Sequence, residues 1–437
     1  MATQSRSFDE TRRAWKDPEC KALMEAVSAA IFRNNAFRIS GLAVDATTRE
    51  IHKHVDRLRI MEELGQGQCC HNSVFALRPP PTVDQIRQTL RRLSDPETRI
   101  VDEFFWFWPE EFGNSRADAA IQALLGGDCD TASKIWTARE SNPTTGTTAM
   151  HNVAIMWHLT ALERAHYTEG AEVDSSQCDI LNETWCQSMK RWHQLMDDDL
   201  LWEKLSARIR QIDDPRLPTG FSRRMRRAFP LALAKMHAEL ALGYIDQKKM
   251  DLAKMHVNLL RGFAKNVEVM QIAVDLVLAS AKGRLQASTQ RVHNEALHSP
   301  EKADQLAGSL VAPTLFLVEV IEIFFDGGDY VGWEQLNETV SICTDCAIRF
   351  QRKTGKNEVF VDLLRRLQPL STDDAVGKRI AEAISIGNKN IELSRPKKEE
   401  PQKSVPEKSN VRPMKDANLP AEKKSWLARI KSKLFNR

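Results

Sequence analysis

The sequence predicts an all-α fold: a J-like helical-hairpin domain, a helical-repeat or bundle body, a flexible linker and a C-terminal amphipathic helix. Three observations carry this. Between about 110 and 395, glycine and proline are sparse and fall in short clusters, so little interrupts helix formation there. Upstream of that body, apolar residues recur at helical spacing on segments with recognisable start and stop signals. Beyond it, the composition shifts abruptly to Pro, Lys and Glu. At 437 residues and 42% hydrophobic composition, the chain is long enough for two or three cores. A net charge of +3 argues against a global nucleic-acid footprint.

The elements follow in chain order. Residues 1–34 hold one expected helix, Pro18 to Phe32, with Leu23, Ala26, Val27, Ala30 and Ile31 on one face. Asp45 or Thr47 can cap the next helix, and Glu50 stands where a reciprocal capping bond to Thr47 would form. Ile51, Val55 and Leu58 then make an apolar stripe, while Arg49, Lys53 and Arg57 lie elsewhere on the same helix. A further helix fits 82–94, with Val83, Ile86, Leu90 and Leu93 on one side and Arg87, Arg91 and Arg92 on the other. Ser94-Asp95-Pro96 stops it and starts another, because proline suits a first helical position and pushes its predecessor out of the helical region. The run Phe104 to Trp108 is densely apolar. Five such residues in a row do not fit on one face, so a hinge or inter-domain contact is the expected use.

Together these residues resemble a DnaJ-type J domain over 35–108. The resemblance rests on Asn35-Ala36-Phe37-Arg38-Ile39-Ser40-Gly41-Leu42, then Asp45-Ala46-Thr47-Thr48-Arg49-Glu50-Ile51, and the close Leu93-Ser94-Asp95-Pro96-Glu97-Thr98-Arg99. It implies two antiparallel amphipathic helices with further helices beside them. In working J domains a His-Pro-Asp loop follows the first long helix and couples to Hsp70 ATP hydrolysis. Those positions fall here at Glu63, Leu64 and Gly65, and none matches. The following loop, to about Thr82, holds Cys69-Cys70-His71 and Pro79-Pro80-Pro81. The resemblance therefore implies the fold without the ATPase-stimulating role, with Arg49, Lys53 and Arg57 as a candidate partner-binding face.

The domain plan is an N-terminal helix in 1–34, the J-like unit in 35–112 and the helical body in 113–394. A disordered linker in 395–420 and a basic amphipathic helix in 421–437 follow. Within the body, Leu124-Leu125-Gly126-Gly127-Asp128, Ala241-Leu242-Gly243-Tyr244 and Phe324-Phe325-Asp326-Gly327-Gly328 each join an apolar helix end to a Gly/Asp turn and a new helix. They resemble degenerate tetratricopeptide-type hairpins, which stack and leave a concave surface for partners; an irregular bundle is the alternative. The linker opens at Arg395-Pro396-Lys397-Lys398 and lacks the large apolar residues that would order it. In the terminal helix, Trp426, Leu427, Ile430 and Leu434 share a face among Arg429, Lys431 and Lys433. Such a tethered element suits an anionic membrane surface or a partner groove.

The chemistry-bearing residues make no recognisable catalytic set. Cys343-Thr344-Asp345-Cys346 is a lone C-x-x-C on an apparently helical segment, and a structural zinc site needs further ligands. Core thiols are the expected reading, with no metal and no cofactor. His151 and His158 flank Met156-Trp157 on one stripe, and Asp197-Asp198-Asp199 suits a helix start. Arg223-Arg224-Met225-Arg226-Arg227 is read as a solvated face. There is no phosphate-binding Gly-rich loop, nucleophile elbow or H-E-x-x-H. Eight dispersed cysteines, with no apolar leader and no run read as long enough to span a bilayer, set the expectation of a cytoplasmic protein, with peripheral attachment at a membrane as an option. The expected function is a non-catalytic adaptor or scaffold with protein partners, an Hsp70-like one among them, and nucleic acid disfavoured. A peripheral membrane protein held by its tail, or an enzyme with an all-helical site around His151, His158 or His193, are the alternatives.

Overall fold

A computed structural model describes residues 20–64, 75–167, 174–263, 267–325, 333–371 and 373–394. The expected linker and terminal helix, the third Gly/Asp turn, and Gly65 with Cys69-Cys70-His71 lie outside these residues. Among the described residues the regular elements are helices, with no β-strand, so the all-α class holds. The chain divides into two compact units, Met1–Leu276 and Val277–Arg437.

The first unit opens with α1 (Lys21–Ala26), α2 (Ala36–Ser40), α3 (Thr48–Glu63), α4 (Val83–Arg92) and α5 (Pro96–Phe104). The expected first helix is cut to α1. The Ser28 hydroxyl accepts from Ala30 N–H, a local bond that competes with the helical ladder, and the chain leaves the helix at Val27. Val27, Ile31 and Phe32 are buried nonetheless. Asn35 caps α2 by accepting from Phe37 N and Arg38 N, and Gly41 at φ 70° ends it. The capping bonds between Thr47 and Glu50 form in both directions at the start of α3. Thr82 and Gln85 do the same for α4. Asp95 accepts from Thr98 N ahead of Pro96, so α5 starts where the sequence placed it.

The body of this unit comprises α6 (Ala119–Leu125), α7 (Cys129–Arg139), α8 (Gly146–Tyr167), α9 (Ser175–Asp197), α10 (Asp199–Ile212), α11 (Phe221–Asp246) and α12 (Met250–Arg261). Consecutive helices pack as antiparallel neighbours: α6 on α7, α8 on α9, and α11 on α12. The turn at Gly126-Gly127 therefore joins two packed helices as expected, whereas Gly243 stays inside α11 and the second turn falls after Asp246. Asp128 caps α7, and Gly127 takes φ 94°, where a side chain would be strained. Of the three aspartates, Asp198 caps α10 by accepting from Leu200 N.

The aromatic run is a contact between the J-like stretch and the helical body rather than a hinge. Helix α5 ends at Phe104 and the backbone turns, so successive rings leave in different directions into one core. Phe104, Phe105, Phe107 and Trp108 are buried, and only Trp106 is half-buried. Phe104 packs on Trp192, Trp202 and Phe229, while Phe107 stacks on Trp136 at 5.2 Å. The turn's buried backbone groups find side-chain partners. Asn35 donates to Asp102 O and Phe105 O, and His151 Nε2 donates to Phe104 O at 2.8 Å. Asn152 accepts from Trp108 N and donates to Trp108 O. This is the accounting that buried main chain demands when it leaves regular structure.

The second unit takes in the later part of α13 (Val267–His298), then α14 (Ala303–Gly308), α15 (Val311–Phe325), α16 (Trp333–Thr354), α17 (Asn357–Leu367) and α18 (Asp374–Ser394). Its core joins Val292, Leu310, Val340, Phe350, Phe360, Leu364 and Ile380. Gly387 lets α18 press on α17: a Cβ there would lie 2.5 Å from Val361 Cγ2. The stretch Pro300–Phe324 is long and apolar enough to cross a bilayer, which the sequence reading did not count. It is 65% buried inside the protein, and a break at Ser309-Leu310 divides it.

Candidate functional site

Helix α3 packs on α4, and its stripe runs from buried Leu58 to Val55 and Ile51, which stay half-buried. Ile51 and Val55 form one wall of a cleft of 710 Å³, together with Thr48 and His52. The end of α4 (Leu90, Arg91), Leu93, Ser94, Pro96 and Arg99 make a second wall. Arg208, Gln211 and Ile212 at the end of α10, with Asp214 and Arg216 after it, make the third. Apolar and cationic groups thus alternate around one concavity, the composition expected of a recognition site.

Two of its lining guanidiniums, Arg99 and Arg208, converge on one buried carboxylate. Glu103, only 1% exposed, receives Arg99 Nε at 2.8 Å and Arg208 Nε at 2.7 Å, with Arg208 Nη2 at 3.0 Å. The same guanidiniums donate to backbone carbonyls, Arg99 to Ala46 O and Arg208 to Val44 O, and so pin the loop before α3. Asp45, on that loop, accepts from Gly113 N and Ser115 N. Arg216 grips Asp214 through Nε and Nη2 and donates to Ser94 O; that grip holds the Asp214 carboxyl down at about 2. The lining holds Arg91, Arg99, Arg208 and Arg216 against Asp45 and Asp214; with Glu103, which pairs with two of the arginines, one positive charge is left in excess. Arg91 is exposed and has no ion-pair or hydrogen-bond partner among the described residues. Behind the cleft, burial pushes the Asp102 carboxyl up to about 6 although Arg92 lies 3.2 Å away.

Arg49, Lys53 and Arg57 are exposed on the α3 face turned away from Ile51 and Val55, and form no ion pair among the described residues. Glu63 and Leu64 stand exposed at the end of α3, Leu64 by 69%. Trp426, Leu427, Arg429, Ile430, Lys431, Lys433 and Leu434 lie outside the described residues. His151 and His158 are fully buried among Phe104, Trp108, Trp185 and Trp192, and burial pushes them down to about 4 and about 3. His193 lies against the Phe263 ring. Cys343 and Cys346 are buried on α16, where burial pushes the thiols up to about 12 and about 11. Among the described residues no cluster of three or more His, Cys, Asp or Glu is arranged to hold a metal. In the basic cluster, Arg226 is held by Asp199 at 2.6 Å and Arg224 lies over the Phe221 ring.

The sequence reading missed Arg99, Glu103, Arg208 and Arg216. The Arg99–Glu103 spacing of four on α5 was a readable signal. Nothing local points to Arg208, 105 residues further on.

No protein-family model, curated protein or solved structure matches this chain.

Proposed function

We propose that this chain is a protein-recognition adaptor. In this reading the J-like stretch is a docking element, and the cleft beside α3 is the seat for a partner segment that carries both carboxylates and an apolar side chain. The observation that carries it is the coexistence, in one 710 Å³ concavity, of the half-buried Ile51 and Val55 side chains and an excess guanidinium charge. Apolar anchors give such a contact its affinity, and the cationic rim selects the charge of the partner and speeds encounter. Arg49, Lys53 and Arg57 extend the positive field over the outer face of α3. The hairpins α6–α7 and α11–α12 read as degenerate tetratricopeptide-type units that support the docking element.

Coupling to Hsp70 ATP hydrolysis is not part of the proposal, because Glu63 and Leu64 stand where a working J domain has His and Pro. An Hsp70 ATPase assay with the full chain should show no stimulation; robust stimulation would overturn this. For recognition itself, the test compares the wild-type chain with the double variant Ile51→Asp, Val55→Asp as bait in extract of the native host. Loss of one specific partner at unchanged helicity and melting supports the cleft. Equal recovery of that partner by both baits counts against it.

A further inference from the structure

Away from the cleft, four helices of the first unit meet around Trp185. Its ring lies 5.3 Å from His158 of α8, 5.0 Å from His237 of α11 and 5.2 Å from His256 of α12. All three histidines are fully buried. Their hydrogen bonds fix the proton positions. His237 Nε2 lies 3.1 Å from the Met189 thioether, which can only accept, so the proton of His237 is on Nε2. His237 Nδ1 is then a bare acceptor, and His256 Nδ1, 3.0 Å away, must donate to it. One proton therefore bridges α11 and α12. His256 Nε2 and both nitrogens of His158 have no hydrogen-bond partner among the described residues.

We infer that this histidine cluster is a proton latch: it holds α8, α9, α11 and α12 together while neutral and releases them on acidification. A second proton on His237 would set N–H against N–H across 3.0 Å and abolish the bridge. A proton on His256 Nε2 or on His158 would create a charge with nothing to receive its N–H. The titratable groups that bear on the cluster are its own members, His193 of α9, which acts on His237, and Tyr244 of α11, stacked on His256 at 5.4 Å. Among the described residues none of these groups is a carboxylate, so none of them supplies a counter-charge to an imidazolium there. Burial accordingly pushes His158 and His237 down to about 3 and His256 well below its ordinary range.

The sign follows from these depressed values. The unfolded chain binds protons on these residues near pH 6.5 and the folded chain refuses them, so the latch is fully effective above that pH and weakens steadily below it. Each imidazole raises the opening equilibrium by roughly 30-fold between pH 8 and pH 5, and three together by on the order of 10⁴-fold.

The test is amide hydrogen exchange on the full chain at pH 8 and pH 5, corrected for intrinsic rates. It reads residues 221–261, with 333–367 of the second unit as the reference. Protection of 221–261 should fall by at least about 1,000-fold relative to the reference. A relative fall of less than tenfold would falsify the latch. The variant His158→Phe keeps a ring in place and should shrink the acid-dependent loss by roughly 30-fold. An unchanged loss in that variant removes His158 from the device, and the wild-type comparison decides the rest even if the variant folds poorly.

Discussion

The two units bury different chemistry. The first packs Trp108, Trp185, Trp192, Phe104 and Phe229 around neutral histidines, and holds the triad Arg99–Glu103–Arg208 beside an open cleft. The second packs aliphatic residues, Phe350 and Phe360, and the thiols of Cys343 and Cys346. No histidine or tryptophan belongs to that core cluster. Buried polar groups constrain a core because each must find a particular partner, and they make it sensitive to proton activity; an aliphatic core answers mainly to volume.

Acid should separate the units most. At pH 5 each buried histidine of the first unit costs it about 2 kcal/mol, so His151, His158, His237 and His256 together approach the whole stability of a typical domain. Asp102 works in the opposite sense. Its folded value, raised to about 6, means its penalty is present above that pH and relieved below it, returning about 1.4 kcal/mol at pH 5. Urea titrations at pH 8 and pH 5, followed by fluorescence from the first unit's buried tryptophans, should show a net loss of several kcal/mol. A pH-independent transition would break the comparison.

Charge removal comes next. Glu103→Ala strands the guanidiniums of Arg99 and Arg208 and should cost about 3–5 kcal/mol in the first unit alone. A smaller effect sharpens the comparison within the second unit: Gly387→Ala drives a methyl into Val361 and Phe360 and should cost about 1–3 kcal/mol there, leaving the amide-exchange protection of 221–261 unmoved. Least of all, Arg91→Glu should change stability by no more than about 0.5 kcal/mol by thermal melting, since its guanidinium is exposed and unpaired among the described residues.

What could be read from the sequence was local. The capping pair Thr47–Glu50, the Asp95-Pro96 start and the cap at Asp198 depend on neighbours within four positions, and all form. The glycine turn between α6 and α7 was legible for the same reason. The first helix was over-extended because periodicity alone does not show that the Ser28 hydroxyl accepts from the Ala30 N–H. For the aromatic run, a contact with the helical body was legible, but the sequence does not show that the turn after Phe104 lets successive rings enter one core from different directions. The cleft was legible only in half. Ile51 and Val55 were seen as a stripe, but Arg208 and Arg216 reach them from more than 150 positions away, a tertiary fact with no local trace. His237 and His256 were not singled out, because what brings them together is one 3.0 Å contact between two helices.

The claim that the cleft, rather than the outer face of α3 or the second unit, is the recognition surface can be put to one measurement. A photo-crosslinking residue is placed in turn at His52 in the cleft, at Arg57 on the outer face of α3, and at Lys389 on α18, all exposed, in the full chain in its native host. The account predicts a dominant adduct from His52, to a segment bearing carboxylates, that disappears when Arg91→Glu is added. Adducts from Arg57 or Lys389 with none from His52, or a His52 adduct indifferent to Arg91→Glu, would contradict it.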